Sequence, residues 1–375
     1  MADVNVVGQL DEIEKRIMSG LKDFQRATIN RIDELYRAGQ MRVLVSDEVG
    51  LGKTLIARGT IAKLAKLQKE SGDKLVKVVY VCSNASIAEQ NLNKLRITSE
   101  LKTESTSSSR LSMQHLNIFR QENDTELLNR YIQLIPLTPD TSFRMTSGAG
   151  IVSERALMYT ILRRMPELSM YRKALEVAMA DKAVGQWDGW ARDWYETQVK
   201  ECDKTSGGKY LVYMLDKLSV ELNMRADEDN TVLDMIISMC KQIRSNGYKQ
   251  QNNNAVIGKL RVIFAKISLD KLEPDLVIMD EFQRFKYLIN SDSDTETGML
   301  ANKFFNSSKV RMLLLSATPY KMYSTLEEID ETQVDEHYSE FFDVMNFLNI
   351  SESEKRKFKT VWSDYSVKLK ELSDG

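Results

Sequence analysis

The sequence predicts an α/β fold in which helices cover both faces of a mainly parallel sheet. Three observations support this prediction. Continuous apolar runs, such as VKVVYVC at residues 76–82, are typical of strands that are buried on both sides. Stretches with apolar residues at helical spacing separate these runs. The order strand, loop, helix, strand over residues 41–82 is that of a βαβ unit, from which parallel sheets are built.

Strands and helices alternate along most of the chain. A helical segment at residues 10–38 precedes a short buried strand at residues 41–45, and a helix runs from about Lys53 to Lys69. Further strands are predicted at residues 76–82, 131–137, 275–280 and 310–316. Between residues 150 and 255 the strand signals disappear while Met, Leu, Lys and Glu dominate, which predicts a large helical insertion.

The composition limits the classes of protein to be considered. The 375 residues suffice for two average domains or for one large α/β domain with an insertion. A net charge of -2 means that any nucleic-acid surface must be a local patch. Three widely spaced cysteines, Cys82, Cys202 and Cys240, and only two histidines disfavour a zinc site and predict a reduced, cytoplasmic protein. No apolar run approaches the ~18 residues of a transmembrane helix, so no membrane partner is expected.

The stretch VLVSDEVGLGKTLIA, at residues 43–57, has the pattern of a phosphate-binding loop. An apolar strand leads into a glycine-rich turn and a helix, which directs backbone N–H groups and the positive end of the helix dipole to one point. Gly50 and Gly52 lack the β-carbons that would keep phosphate oxygens away. Lys53 can reach the β and γ phosphates, and the Thr54 hydroxyl can ligate Mg²⁺.

The loop departs from the general pattern G-x-x-x-x-G-K-[ST] at one position. Asp47 stands where the first glycine is expected. A chance G-x-G-K-T loop is therefore the alternative interpretation of this stretch taken alone. The strand before it and the helix after it favour phosphate binding.

A second apolar run, LVIMDEFQRF at residues 276–285, contains two adjacent carboxylates. Asp280 and Glu281 are expected at the carboxyl end of a buried strand, the edge at which α/β proteins bind ligands. Asp280 suits the holding of Mg²⁺, and Glu281 suits the orientation and deprotonation of an attacking water. Acidic pairs after strands are common, so the pair alone has little specificity. Together with the loop it predicts an NTP hydrolase that uses Mg²⁺.

The stretch LLLSATPY, at residues 313–320, ends the last predicted strand in small hydroxyl residues. Ser316 and Thr318, on either side of Ala317, can hydrogen-bond toward the acidic pair and respond to the presence of a γ-phosphate. As a bare tripeptide Ser-Ala-Thr carries no information. Its place after this strand, and after the acidic pair in chain order, predicts a coupling element, Ser316, Ala317 and Thr318, that senses the γ-phosphate.

With these motifs in this order, the chain resembles superfamily II helicases and translocases. DEVGLGKT, at residues 47–54, is similar to the phosphate loop of Swi/Snf-type remodellers and their bacterial relatives, in which Asp replaces the first glycine. The resemblance covers residues 20–145 and 260–325, the core of one RecA-like lobe, and implies an ATP-dependent motor. The acidic motif is DEFQ where DEAD, DEAH or DEGH might be expected, which leaves the subfamily and the polarity open.

The resemblance also implies roles for residues elsewhere in the lobe. In such motors an upstream glutamine preceded by an aromatic residue reads the adenine edge, and Phe24 and Gln25 stand at that place. The implied ATP-binding residues of the loop are Asp47, Glu48, Gly50, Leu51, Gly52, Lys53 and Thr54. Two stretches, VCSNASIAEQN and LTPDTSF, are similar to family segments that contact the nucleic-acid backbone. They supply the predicted contacts Ser83, Asn84, Gln90, Thr138, Thr141 and Ser142.

The resemblance and the insertion together predict five regions. They are N-terminal helices with the adenine-binding glutamine (1–40), the first half of the RecA-like lobe (41–149), the helical insertion (150–255), the second half of the lobe (256–325) and an acidic helical tail (326–375). Superfamily II motors hydrolyse ATP between two lobes, the second of which supplies arginines. No second series of strands follows Pro319. We therefore expect a second lobe in a longer chain or in a partner protein, and slow ATP hydrolysis without it.

The leading hypothesis for function is an ATP-driven DNA motor. Duplex DNA is favoured over single-stranded DNA as its track because the loop is Swi/Snf-like, and RNA is less favoured because the DEAD form is absent. The alternative from another class is an ATP-dependent switch in a multi-protein assembly, for example in phage defence, that does not translocate and docks partners on the insertion. A catalytically inert binding module is disfavoured because Lys53, Thr54, Asp280 and Glu281 are all present.

Two features of the insertion allow a structural and a functional interpretation. Trp187, Trp190 and Trp194 lie at helical spacing and are expected to pack into the core of the insertion, with base stacking as the alternative. The basic stretch at residues 161–173 is expected to be a solvated helix face, with contact to a DNA backbone as the alternative.

Overall fold

The computed structural model describes residues 2–47, 50–72, 75–83, 85–101, 110–124, 128, 131–139, 149–225, 230–246, 253–285, 298, 302, 305, 310–316, 344–348, 353, 356–357 and 360–361. Most of the predicted acidic tail lies outside these residues.

Five strands form one parallel sheet. They are β1 (Arg42–Ser46), β2 (Val76–Val81), β3 (Ile132–Leu137), β4 (Leu276–Asp280) and β5 (Arg311–Ser316). Their order across the sheet is β1-β5-β4-β2-β3, and each neighbouring pair is parallel. Each strand begins and ends within one residue of its predicted bounds. The predicted α/β fold with a parallel sheet is therefore confirmed.

The helices are numbered in chain order. They are α1 (Ala2–Ser19), α2 (Asp23–Arg37), α3 (Lys53–Glu70), α4 (Ala85–Leu95), α5 (Gln114–Glu122), α6 (Val152–Leu162), α7 (Arg172–Ala180), α8 (Val184–Asp188), α9 (Glu196–Thr205), α10 (Lys209–Leu222), α11 (Val232–Asn246) and α12 (Asn253–Leu272). Between α8 and α9 lies a π-helix, Gly189–Tyr195. Among the described helices, none has both the length and the apolar content of a membrane span.

Helices cover both faces of the sheet because alternate strand residues point to opposite sides. On β4, Leu276 and Ile278 share one core with apolar residues of α1, α2 and α3. Val277 and Met279 share the opposite core with residues of α5 and with the C-terminal part of α12. A strand buried on both sides must be apolar at nearly every position, which explains the continuous runs in the sequence.

The N-terminal segment is two helices, α1 and α2, where the sequence predicts one helical stretch at residues 10–38. Gly20, a weak helix former, follows the end of α1. Lys22 has extended backbone angles, and its N–H donates to Gln25 Oε1 at 3.0 Å. This hydrogen bond caps the N-terminus of α2, so the chain makes a turn after α1 and then starts a second helix. Both helices pack against α3.

The helices from α6 to α11 form a bundle with a core of its own, and the described part of this region contains no strand. The helix α12 joins the bundle to the sheet, because Leu260 and Phe264 pack in the bundle core while Leu269 and Leu272 pack beneath the sheet. The predicted boundary between residues 255 and 256 falls in the first turn of this one helix.

A buried ion pair lies where the bundle meets the lobe. Glu154 on α6 and Arg261 on α12 have side chains that are 0% and 1% exposed, with Arg261 Nε 3.0 Å from Glu154 Oε1. Ser112 Oγ donates to the same carboxylate oxygen at 2.5 Å. Gly150 has φ +72°, and a β-carbon there would collide with both charged side chains. The pair thus connects the start of the bundle to the helix that leaves it.

The three tryptophans have different environments. Trp187 is buried, with its ring centroid 5.5 Å from that of Tyr159, as predicted. The prediction is wrong for Trp190 and Trp194, which are 39% and 53% exposed. These two lie in the π-helix, whose wider turns change the spacing at which side chains share a face.

The basic stretch at residues 161–173 is partly neutralised within the bundle. Arg164 Nη2 lies 2.8 Å from Glu196 Oε1, and Arg163 Nη1 lies 3.9 Å from Glu196 Oε2. This pairing reduces the positive charge available to a polyanion and favours the structural interpretation of the stretch.

Acid is expected to destabilise the bundle through His115. The ring is fully buried, stacks on Tyr210 and has the Tyr210 hydroxyl 3.1 Å from Nδ1. Burial lowers the pKa of His115 from 6.5 to about 3. Below pH 6.5 the unfolded chain therefore binds a proton that the folded protein excludes. Stability should fall by about 1.4 kcal/mol per pH unit from this residue as the pH drops from 6.5 towards 3.

Urea unfolding of the wild type and of His115→Gln at pH 6.5 and pH 5.0 measures this contribution. The wild type should lose about 2 kcal/mol more than the variant over this interval, since the variant has no imidazole to protonate. Equal losses in the two proteins would contradict the assignment to His115.

Candidate nucleotide site and nucleic-acid interface

The carboxyl ends of the strands bring the predicted motifs to one edge of the sheet. Ser46, the last residue of β1, pairs with Ser316, the last residue of β5. Asp280, the last residue of β4, pairs with Leu315. Thus β5 lies between the strand that leads to the loop and the strand that ends in the acidic pair. The strands β2 and β3 end at the same edge, next to the two predicted nucleic-acid segments.

Two glycines of the loop have left-handed backbone conformations. Gly50 has φ +88°, and Gly52, with φ +81°, is the N-terminal cap of α3. A β-carbon at Gly52 would lie 2.5 Å from Gln25 Nε2, so the loop can approach α2 this closely only with glycine. A β-carbon at Gly50 would meet no described atom within 4 Å. Glycine at both positions leaves the loop without side chains there, which suits the approach of an anion to the backbone N–H groups.

Lys53 begins α3 and extends back across the loop. Its Nζ donates to the backbone carbonyl of Asp47 at 2.8 Å. Asp47 Oδ2 is buried and accepts no hydrogen bond from the described residues. Thr54 follows, half-buried, in the first turn of the helix. Backbone N–H groups and an ammonium suit phosphate oxygens, and a nearby hydroxyl suits Mg²⁺, so these residues fit a bound Mg²⁺–nucleotide.

Gln25 connects α2 to the loop. Its Nε2 donates to the Leu51 carbonyl at 2.9 Å, and its Oε1 accepts from the Lys22 N–H. Gln25 is 4% exposed, whereas Phe24 beside it is 40% exposed. Adenine reading by Gln25 stays a prediction, for which the amide has a second N–H and a second oxygen lone pair besides these two bonds.

Asp280 is held by side chains from two neighbouring elements. The Tyr80 hydroxyl, on β2, donates to Asp280 Oδ2 at 2.5 Å. Asn91 Nδ2, on α4, lies 2.8 Å from the Tyr80 oxygen and 3.3 Å from Asp280 Oδ2. Burial, reinforced by the Asp280 carboxylate, raises the pKa of Tyr80 well above its ordinary value, so the hydroxyl stays protonated and donates.

The sequence motifs gave no role to Tyr80 or Asn91. Tyr80 is the one residue with a hydroxyl in the run VKVVYV. A hydroxyl on a buried strand needs a hydrogen-bond partner, and this is the signal from which a role for Tyr80 could have been predicted. Asn91 ends the quoted motif VCSNASIAEQN, but nothing in its spacing points to Asp280, which lies 189 residues away along the chain.

Glu281 lies on an exposed turn directly after β4. Its φ of +54° is unusual for a residue with a side chain, a strain that is concentrated at functional sites. Its Oε2 lies 2.6 Å from Arg284 Nε, and the two side chains are 50% and 59% exposed. An exposed pair of this kind contributes little stability. Glu281 can therefore leave Arg284 for a water molecule at small cost.

The predicted nucleic-acid contacts differ in exposure. Ser83, in the turn after β2, is half-buried, and Gln90 on α4 is exposed. Thr138, directly after β3, is 2% exposed, so its hydroxyl does not face solvent in this structure. Ser316 is also buried. The predicted site residues Glu48, Asn84, Thr141, Ser142, Ala317 and Thr318 lie outside the described residues.

The fold, a parallel five-stranded sheet covered by helices, is that of a RecA-like lobe. Residues 19–135, less than half of the chain, match the family model described as Type III restriction enzyme, res subunit. That model describes a superfamily II helicase-like N-terminal domain, and this part of the chain is similar to such a lobe. Comparisons with curated proteins and with solved structures give no match.

Proposed function

We propose that this protein is an ATP-dependent motor that moves along duplex DNA. One observation carries the proposal: the glycine loop with Lys53 and the pair Asp280–Glu281 share one edge of a parallel sheet, on either side of β5. The match of residues 19–135 to a helicase-like domain supports a motor over the other uses of a phosphate loop.

The chemistry of each side chain defines its part in ATP hydrolysis. Backbone N–H groups at the start of α3 and the Lys53 ammonium bind the β and γ phosphates. Thr54 and Asp280 would hold Mg²⁺, which neutralises charge on the phosphoryl group. Glu281, released from Arg284, orients the attacking water and accepts its proton. Ser316, with Ala317 and Thr318, passes the state of the nucleotide to the DNA-binding surface.

The proposal includes a second RecA-like lobe, in a longer chain or in a partner protein. Arginines from that lobe would stabilise charge on the transferring phosphoryl group, an effect worth about 10³–10⁵-fold in rate. We assign the activity to the cytoplasm, which the free cysteines Cys82, Cys202 and Cys240 support. The five regions predicted from the sequence remain part of this proposal.

An ATP-dependent switch without translocation is the second candidate. The exposed tryptophans of the π-helix favour it, because large apolar side chains on the surface of the bundle are suited to contact with another protein. In that case the bundle would be the docking surface, and nucleotide binding would control the assembly.

Nucleic-acid dependence of ATP hydrolysis separates the two candidates. ATP hydrolysis is measured for the protein without nucleic acid and with duplex DNA, single-stranded DNA or RNA. The variant Lys53→Ala is the inactive control. We expect duplex DNA to stimulate hydrolysis by about tenfold or more in the wild type and not in Lys53→Ala, because a motor couples its ATPase cycle to its track. Stimulation by another polymer alone would overturn the choice of track. Hydrolysis indifferent to all three polymers would overturn the motor and favour the switch.

A further inference from the structure

The hydrogen bonds around Asp280 join two functional regions that are distant in sequence. Tyr80 and Asn91 both contact Asp280 Oδ2, whereas Asp280 Oδ1 accepts no hydrogen bond from the described residues. The carboxylate is therefore held from one side, and its other oxygen is left for a ligand. Partners that bind a metal-ligating carboxylate in this way fix its orientation and strengthen the metal site.

The two partners differ in mobility. Tyr80 is 1% exposed on a central strand, and its hydroxyl is fixed by the packing of the ring in the core. Asn91 is half-buried on α4, a helix on the sheet surface. A shift of α4 would therefore move Asn91 relative to Asp280 while Tyr80 stayed in place.

The same helix carries the predicted nucleic-acid contact Gln90 and follows a second one, Ser83. It begins two residues after Ser83, and the exposed Gln90 directly precedes Asn91 in the chain. A backbone phosphate bound by Gln90 would contact α4 one residue from Asn91, and one bound by Ser83 would contact the turn that leads into the helix.

We propose that Tyr80 and Asn91 are positioning residues for the Mg²⁺ ligand Asp280, and that α4 transmits nucleic-acid binding to the metal site through Asn91. This inference rests on the proposed function, since it assigns Asp280 to Mg²⁺ and Ser83 and Gln90 to the track. It adds a structural path, from α4 through Asn91 to Asp280, by which the binding of nucleic acid would change the rate of ATP hydrolysis.

The positioning role is tested by metal-dependent nucleotide binding without turnover. A fluorescent, non-hydrolysable ATP analogue is bound to the protein while Mg²⁺ is titrated, and the metal-free affinity for the analogue is measured separately. Tyr80→Phe and Asn91→Ala should each weaken the apparent Mg²⁺ affinity about 10-fold or more, with the metal-free affinity changed less than twofold. Asn93→Ala, an exposed asparagine on the same helix, should behave as the wild type.

The transmission role is tested in the same assay with saturating duplex DNA. Linkage is reciprocal, so in the wild type DNA should change the apparent Mg²⁺ affinity by about fivefold or more. Asn91→Ala should lose most of this change, and Tyr80→Phe should lose only part of it, because Asn91 Nδ2 contacts Asp280 directly at 3.3 Å as well as through the Tyr80 oxygen at 2.8 Å. Unchanged linkage in Asn91→Ala would overturn the transmission role.

The failures of the inference and of the proposed function are distinguishable. A wild type with no Mg²⁺-dependent binding of the analogue would remove the proposed function and this inference together. A wild type that binds it, with Tyr80→Phe and Asn91→Ala indistinguishable from it, would overturn only the positioning role. Tyr80→Phe removes a single hydroxyl and keeps the ring that fills the core, and circular dichroism of each variant verifies folding. Asn91→Ala gives an independent answer should Tyr80→Phe not fold.

Discussion

Lys53→Ala is expected to lower the rate of ATP hydrolysis by about 10²–10³-fold. Lys53 is the one cation at the N-terminus of α3, and its ammonium already lies over the loop, bonded to the Asp47 carbonyl. In the transition state of phosphoryl transfer it would neutralise charge on the β and γ phosphate oxygens. Alanine leaves the backbone N–H groups but removes this charge. The hydrolysis rate with saturating duplex DNA, measured by phosphate release, tests the prediction.

Lys63→Ala is the matched control for Lys53→Ala. Lys63 lies on the same helix α3, and its Nζ is 3.8 Å from Asp33, far along the helix from the loop. The control should hydrolyse ATP within about twofold of the wild type, because Asp33 keeps Arg37 as a partner at 2.9 Å and the pair does not touch the loop. Comparable losses in both variants would mean that the defect lies in the stability of α3, and would contradict the role of Lys53.

Glu154→Ala is expected to destabilise the protein by about 3–5 kcal/mol, the largest effect on folding that the structure predicts. Arg261 is 1% exposed and would lose the carboxylate that lies 3.0 Å from its Nε. Ser112 would lose the acceptor of its hydroxyl as well. A charge left unpaired in the interior costs far more than the pair itself contributes. The free energy of unfolding in urea, measured for wild type and variant, gives the effect directly.

Two comparisons identify the cause of this loss. Lys15→Ala removes an exposed partner of Asp11 at 2.6 Å and should lower the free energy of unfolding by about 1 kcal/mol or less. This comparison shows whether the loss of any ion pair is enough to cause the large effect, or whether the pair must be buried. Replacing both buried partners, as Glu154→Leu with Arg261→Met, should recover most of the stability, because the one cation left at this place, Arg110 at 3.5 Å from Glu154, is partly exposed to water. A double variant as unstable as Glu154→Ala would contradict this explanation and point to packing around Gly150.

The sheet could be predicted closely from the sequence, because strands buried on both faces must be apolar along their length. The loop and the acidic pair were predictable for a related reason: consecutive residues at the end of a strand reach the same edge of a parallel sheet. The division of the N-terminal segment was missed, because it depends on one bond between Lys22 and Gln25. The exposure of Trp190 and Trp194 was missed because a π-helix does not follow the spacing of an α-helix.

The sequence by itself determined the fold class, the chain order of the motifs and the kind of chemistry that Lys53, Asp280 and Glu281 can perform. These properties depend on local pattern and on the nature of each side chain. Only the tertiary structure decided that Tyr80 and Asn91 hold Asp280 and that Glu154 and Arg261 join the bundle to the lobe. One physical reason explains why the sequence could not show either of these two sets of contacts. Hydrogen bonds and ion pairs form between atoms that are a few ångströms apart in space. The separation of two residues along the chain does not indicate whether their side chains are this close.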